Sequence, residues 1–375
     1  MSRMLVIVAA LVLGLAPVVA QGPTRTEMPV PDLPGYRTLK ADFHLHTVFS
    51  DGNVWPTVHV MEAWRDGLDV IALTEHAEYH PHEKDVNTDR GRSYEIARPL
   101  AERLGLVLVP GVEITKPDPY TAPPVLEEGS QHFNALFVTD FNALTTPDLF
   151  EALRRARAQE AFVFWNHPGF RAEPRWFPPV ARAHAEGLFQ GMELVNGPDF
   201  YEPAYPWIEE HGLTIIANSD AHDPVPPRAT GMRRPITLVF ARSADVEGVR
   251  EALFARRTAA WLGDDVWGAE EQLRGLFEGA VTVEQPTSAR SRSPMLLVRN
   301  SSAIPMHVRL RNTPAWLRMP EAHLPPEQTT LLRLTALPGA PAGRQEVTLE
   351  LEVLNLHVGP GRPLQALWSI VVEAR

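Results

Sequence analysis

The sequence predicts an α/β fold, strands alternating with helices, followed by a small β-sandwich. Two observations predict it. From residue 38 to about residue 279, short apolar runs alternate with helical patterns. Beyond that point long helical patterns cease, and strand-like segments separated by proline-rich turns take over. Alternating strands and helices form a parallel barrel or a doubly wound sheet, because each crossover helix covers a sheet face. A chain of 375 residues is long enough for a large barrel and one small domain.

The strands of the first region are read at 39–44, 70–74, 106–109, 133–138, 161–165, 191–195 and 214–217. Helical patterns at 56–66 and 147–159 lie between them; Pro56 and Pro147 suit a first helical turn and Gly67 a helix stop. In the second region the strands are read at 295–298, 306–311, 329–334 and 347–353, reached through a helical connector at 268–278. The division is therefore a barrel with its connector over 38–279 and a sandwich over 280–375.

Before the barrel come two other segments. Arg3, an almost unbroken apolar run over 4–19 and Ala20 together predict a secretory signal cleaved near Ala20, and so an exported, periplasmic or secreted protein. Residues 21–37 are rich in proline and polar side chains and read as an extended lead-in. No later segment is apolar for the roughly 20 residues that a membrane span needs. The chain has no cysteine, which excludes disulfides and a lipoprotein anchor; its stability must come from packing or from bound metal. The net charge of −11 argues against nucleic acid as a scaffold partner.

In folds of this kind function sits at the C-terminal ends of the strands, and that is where histidines collect: eleven of the fourteen precede Asp223. His44 and His46 in Asp42-Phe43-His44-Leu45-His46 are two apart on a strand, so their side chains share a face and can share an ion. Alone, that spacing is common by chance. Asp51 in Ser50-Asp51-Gly52 would, alone, serve equally as a turn aspartate. His76 and Glu113 close the second and third strands, with Glu75 beside His76 as a supporting group. A carboxylate ending an apolar run needs a metal or an arginine, since burying its charge unpaired is costly. His132 opens the fourth strand, His167 follows the fifth, and Asp220 and His222 follow the seventh, again two apart. Six histidines and three carboxylates thus meet at one end of the strands. One ion takes about four to six ligands, so nine imply two or three divalent ions, and histidine with carboxylate suits zinc, manganese or iron.

The order of these motifs resembles the polymerase and histidinol phosphatase family, the PHP phosphoesterases: His-x-His, Ser-Asp-Gly, Thr-(Asp/Glu)-His, Gly-Val-Glu, His, His-Pro and Asp-Ala-His, spread over residues 40–241. The stretches 51–57, 164–168 and 234–241 are similar to a branch of exported bacterial PHP phosphodiesterases, the Sb-PDE family; the proline-rich segment 116–130 departs from the pattern by its length. The resemblance implies a distorted (β/α)7 barrel and a trinuclear metal centre. It implies one ion held by His44, His46, Glu113 and Asp220, a second reached by Glu113 with His132 and His167, and a third held by Asp51, His76 and His222. Glu113, Asp220 and His222 are expected to carry the chemistry, hydrolysis of small organic phosphodiesters by metal-bound hydroxide, with a phosphomonoesterase as the alternative.

Arginine is the natural extra clamp for phosphate. Arg92, Arg171, Arg228 and Arg233 are the substrate-binding candidates, with Arg90 and Arg234 also near ligand motifs. Of the aromatics Trp55, Tyr79, Trp165, Phe170 and Trp176, one or two are expected to contact an organic ester group. Two other readings compete. An amidohydrolase-like barrel also opens on His-x-His, but relies on a bridging lysine, and no lysine ends a strand here. An inactive barrel serving a binding sandwich should have lost ligands.

Overall fold

The computed structural model describes residues 22, 24–116, 131–170, 173–227, 234–285 and 294–374. The expected signal segment and most of the proline-rich 116–130 stretch lie outside the described residues. The barrel region is built from β1 (Arg37–Asp42), α1 (Pro56–Arg65), β2 (Val70–Leu73), α2 (Arg92–Leu104), β3 (Val107–Lys116), β4 (Gln131–Leu136), α3 (Leu149–Ala158), β5 (Phe162–Trp165), α4 (Pro178–Ala185), β6 (Gly191–Asn196), β7 (Asp199–Phe200), α5 (Tyr205–Glu210), β8 (Thr214–Asn218), β9 (Ile236–Ala241), α6 (Val246–Phe254), β10 (Thr258–Leu262), β11 (Asp265–Gly268) and α7 (Glu270–Ala280). The central strands Val-Ile-Ala-Leu of β2 and Phe-Val-Phe-Trp of β5 are buried at every position, as strands covered on both faces must be. α1 carries Pro56 in its first turn and stops before Gly67, which takes a left-handed φ of 83°. α3 corrects an expectation: it starts at Leu149 because Asp148 caps it by accepting from the Glu151 amide, so Pro147 precedes the cap.

The sheet is not wholly parallel, and the departures matter for the site. β1, β2 and β3 run parallel, as do β5, β6 and β8. β4, however, is antiparallel to both β3 and β5. Its first residues therefore stand at the end of the sheet where its neighbours finish, which is why His132 joins groups that follow the other strands. β3 also continues past Glu113 to Lys116, because pairing with β4 extends the ladder; Glu113 lies within the strand, opposite Asn134. β9, β10 and β11, unread in the sequence, add antiparallel strands beside β1. The ring closes between β8 and β1 without a full ladder. His46 N–H donates to Ala221 O at 3.0 Å and Phe43 N–H to the Asn218 side chain at 2.7 Å. Thr237 and Thr258 hydroxyls donate to the Ala217 and Ile215 carbonyls.

The C-terminal region comprises β12 (Val281–Glu284), β13 (Met295–Asn300), β14 (Met306–Asn312), β15 (Leu317–Arg318), β16 (Ala322–Leu324), β17 (Thr329–Arg333), β18 (Thr335–Ala336), β19 (Gly343–Gly359) and β20 (Arg362–Ala374). β12, β13 and β17 form one layer; β16, β14, β19 and β20 form the other. Alternate residues face inward, Leu296 and Val298 from one layer and Val308, Leu349 and Leu351 from the other. This sandwich is not a separate unit. β11 pairs in parallel with β19, so the barrel sheet runs directly into it. One apolar core joins Ile71, Leu238, Leu273 and Leu276 to Leu349 and Val353. The lead-in belongs to the same body: Leu33 enters that core, and Pro29 O accepts from Ala303 N–H at 2.6 Å.

Leu276, fully buried on α7 where barrel and sandwich meet, tests the shared core. Leu276→Ala should cost about 2–5 kcal/mol. Chemical denaturation should show a single transition shifted for the whole protein, whereas two separate transitions, only one of them shifted, would refute the shared core.

Candidate metal centre

All nine residues picked from the sequence come together at this end of the barrel. Glu113 is at the middle. Its Oε2 lies 2.8 Å from His76 Nδ1, 3.3 Å from His46 Nε2 and 3.5 Å from His44 Nε2. Its Oε1 faces the other way, 3.2 Å from His132 Nδ1 and 3.6 Å from His167 Nε2. Asp220 Oδ1 is 3.2 Å from the Nε2 atoms of both His44 and His46. Asp51 Oδ1 is 3.2 Å from His222 Nε2 and 3.3 Å from His76 Nε2.

These contacts do not have the geometry of ordinary hydrogen bonding. Glu113 Oε2 and Asp220 Oδ1 are buried and have no hydrogen-bond partner, although nitrogens surround them. His44 Nε2 and His46 Nε2 face each other at 3.1 Å, so two imidazole edges point at one place. Atoms bound to one ion at about 2.1 Å sit roughly 3.0–3.4 Å apart, and the spacings here match. Three overlapping groups could each hold an ion: His46, Asp51, His76 and His222; His44, His46 and Asp220; and His44, Glu113 and His167. The grouping differs from the expected allocation: His46 also joins Asp51, His76 and His222, His44 joins Glu113 and His167, Glu113 is not grouped with His46 and Asp220, and His132 falls in none of the three groups although its Nδ1 is 3.2 Å from Glu113 Oε1.

Burial alone would raise the carboxyls of Glu113 and Asp220. The charges of His76 and His44 around Glu113, and of His44 and His46 around Asp220, outweigh it and hold both well below the ordinary range. The same attraction lifts His44 and His76 well above the ordinary imidazole value despite burial, and His222 to about 9. For His132 burial prevails and pushes it down to about 4, which keeps it neutral with a lone pair to offer. The cluster is thus built around positive charge.

Surrounding groups hold the nine in place. Glu75 is not among them: it accepts from Thr47 N–H, Thr47 Oγ1 and Ser50 Oγ, which fixes the loop carrying Asp51. Asp42, buried behind His44, accepts from Ser219 Oγ and from Arg234 Nε at 2.6 Å. Arg234 therefore neutralises Asp42. His59 Nε2 donates to His46 O, and its Nδ1 contacts the Glu62 carboxylate. Glu193 was missed from the sequence. It sits fully buried within β6 and contacts His44 Nδ1 at 2.9 Å. The signal was available, a carboxylate inside an apolar run, the same argument that selected Glu113.

The arginine candidates fare unevenly. Arg92 lies on exposed α2 and pairs with Glu95 of its own helix. Arg90 donates to Ala77 O. Arg171, Arg228 and Arg233 lie outside the described residues. Among the aromatics, Trp165 is buried between Trp176 and Trp207 and serves packing. Phe170 is 38% exposed with its ring 5.0 Å from His167 and 5.6 Å from His132. Tyr79 stands edge-on to His76 and Trp55 leans on Phe49.

A mixed barrel with a nine-residue imidazole and carboxylate cluster at one end defines a metallohydrolase-type architecture, and the comparisons identify which. A two-domain protein of Bacteroides vulgatus, described as containing a predicted PHP-like metal-dependent phosphoesterase, is 37% identical, covers 93% of this chain and 100% of its own, and superposes with a TM-score of 0.85. The chain belongs to the family of PHP-like metal-dependent phosphoesterases, and is accordingly a hydrolase. An uncharacterised protein of Methanocaldococcus jannaschii is 25% identical over 197 residues, 50% of this chain and 83% of that protein. A histidinol phosphate phosphatase of Lactococcus lactis, solved with zinc, L-histidinol and phosphate, is 17% identical over 58% of this chain and 93% of its own, at a TM-score of 0.32 too low to carry an argument. No protein-family model matches the chain.

Gly52 offers a local test. A Cβ there would sit 2.4 Å from His46 O, a backbone atom that cannot step aside cheaply. Gly52→Ala should destabilise the protein by about 1–3 kcal/mol through overpacking, seen as a lowered Tm; an unchanged Tm would mean that the loop beside Asp51 is not tightly fixed.

Proposed function

We propose that this chain hydrolyses small organic phosphodiesters to monoesters at a centre of two to three divalent transition-metal ions, zinc, manganese or iron. The observation that carries the reading is the convergence of nine ligand side chains around Glu113 Oε2 and Asp220 Oδ1, both buried without a hydrogen bond. Bound ions of this kind activate water and offset charge on the phosphoryl oxygens. The protein's own groups supply the arrangement. Glu113 turns one oxygen toward His44, His46 and His76 and the other toward His132 and His167, so it would be a ligand shared between ions held by those two sets. His222 and Asp220 have side chains 34% and 19% exposed, so this is the side from which a phosphoester approaches.

One structural observation favours a diester. A diester carries one charge and a second organic group, and the exposed face of Phe170 beside His132 and His167 gives that group an apolar seat. The resemblance to exported phosphodiesterases and the apolar run over residues 4–19 support the same chemistry outside the cytoplasm.

The discriminating experiment compares kcat/KM for a matched aryl phosphodiester and phosphomonoester with the same metal. The diester should be preferred and chelation should abolish the reaction. A monoester advantage of tenfold or more, about 1.4 kcal/mol of transition-state preference, would overturn the diester reading.

A further inference from the structure

Glu193 is a fully buried carboxylate beside the cluster with two donors on each oxygen. Oε1 accepts from His44 Nδ1 at 2.9 Å and Asn218 Nδ2 at 2.9 Å. Oε2 accepts from the His167 backbone N–H at 2.8 Å and Asn196 Nδ2 at 2.9 Å. Asn196 in turn reaches Asp220 Oδ2 at 3.4 Å. Its donors are an imidazole, two amides and a main-chain N–H. None is an arginine or a lysine.

Two of the residues it reaches are backbone outliers. His167 has φ of 25° and Asp220 φ of 52°, in the left-handed region that side chains other than glycine seldom adopt. Such conformations cost of order 1–3 kcal/mol and persist only where surrounding bonds hold them. The His167 amide bond to Glu193 is such a bond.

We propose that Glu193 is a positioning residue for two ion positions at once, acting on His44 through its ring and on His167 through its main chain. The inference rests on the metal-centre reading above. By taking the Nδ1 proton of His44 in a hydrogen bond, Glu193 fixes the tautomer that leaves Nε2 free to face Asp220 and His46, and makes that nitrogen a stronger donor to metal. By holding the His167 amide, it keeps the turn that aims the His167 ring back toward Glu113. Glutamine cannot replace it: whichever way the amide is turned, its NH2 group meets two donors.

The test is metal affinity in Glu193→Gln, measured by competition of Zn2+ and Co2+ against a chelator, with the Co2+ absorption spectrum and the Tm of metal-free and metal-loaded protein alongside. Affinity should fall about ten- to hundredfold with a changed Co2+ spectrum, while the metal-free protein still melts cooperatively. Unchanged affinity overturns the proposal, including the case where the metal-free Tm falls, which would mark Glu193 as a structural acid only. A parent protein that binds no metal overturns this proposal and the metal-centre reading together; a parent that binds metal beside an unaffected variant overturns this one alone. Should Glu193→Gln not fold, Asn196→Ala, which cuts the link to Asp220, decides: several-fold weaker binding supports the proposal, and parental affinity overturns it.

Discussion

A carboxylate that is fully buried and has one oxygen without a hydrogen bond must be met by positive charge, and Glu113 imposes that condition on the whole end of the barrel. Everything around it answers. Imidazoles arrive from the ends of β1, β2 and β5 and from the start of β4, and Asp220 and His222 follow β8. The same carboxylates hold His44 and His76 well above the ordinary imidazole value in spite of burial, a sign of how strongly the pocket favours positive charge. A metal cation satisfies the same field more completely, because it also uses the lone pairs that the spacings direct inward.

That condition explains the irregularities of the fold. A uniform parallel barrel would bring only the C-terminal ends of strands to the site. Reversal of β4 adds His132 from a strand's beginning, and the long β3 carries Glu113 within a ladder, where it cannot swing away. Closure between β8 and β1 by a few separate bonds instead of a full ladder leaves room for Asp220 and His222 to follow β8 in a strained turn. The joint with the sandwich is made elsewhere, at β11 and β19, so the second region supports the barrel through a common core while contributing none of the nine side chains.

Much of this was legible in the chain. The apolar runs that became β2, β5, β6 and β8 were readable because strands buried on both faces have almost no polar residues, and the nine residues that the structure brings together were readable from their placement at strand ends and from the order of their motifs, not from any one of them alone. Strand direction was not legible: nothing in Gln131–Leu136 states whether it runs with or against β3, since that depends on the intervening segment. β9 to β11 lie beyond the seven strands of the strand–helix alternation and join β1 by antiparallel pairing, which that alternation does not signal. Glu193 carries the same signal as Glu113, an acid within an apolar run, but its partners, His44 and the His167 amide, lie far off in sequence, so its role was not legible.

The claim at the centre of the account is that these nine side chains surround ions. Anomalous diffraction from crystals of metal-replete protein measures it directly. The account predicts two or three peaks enclosed by His44, His46, Asp51, His76, Glu113, His132, His167, Asp220 and His222, at about 2.0–2.2 Å from nitrogen and oxygen, with Glu113 between two of them. A cluster without anomalous density, its histidines and carboxylates paired to one another, would contradict it.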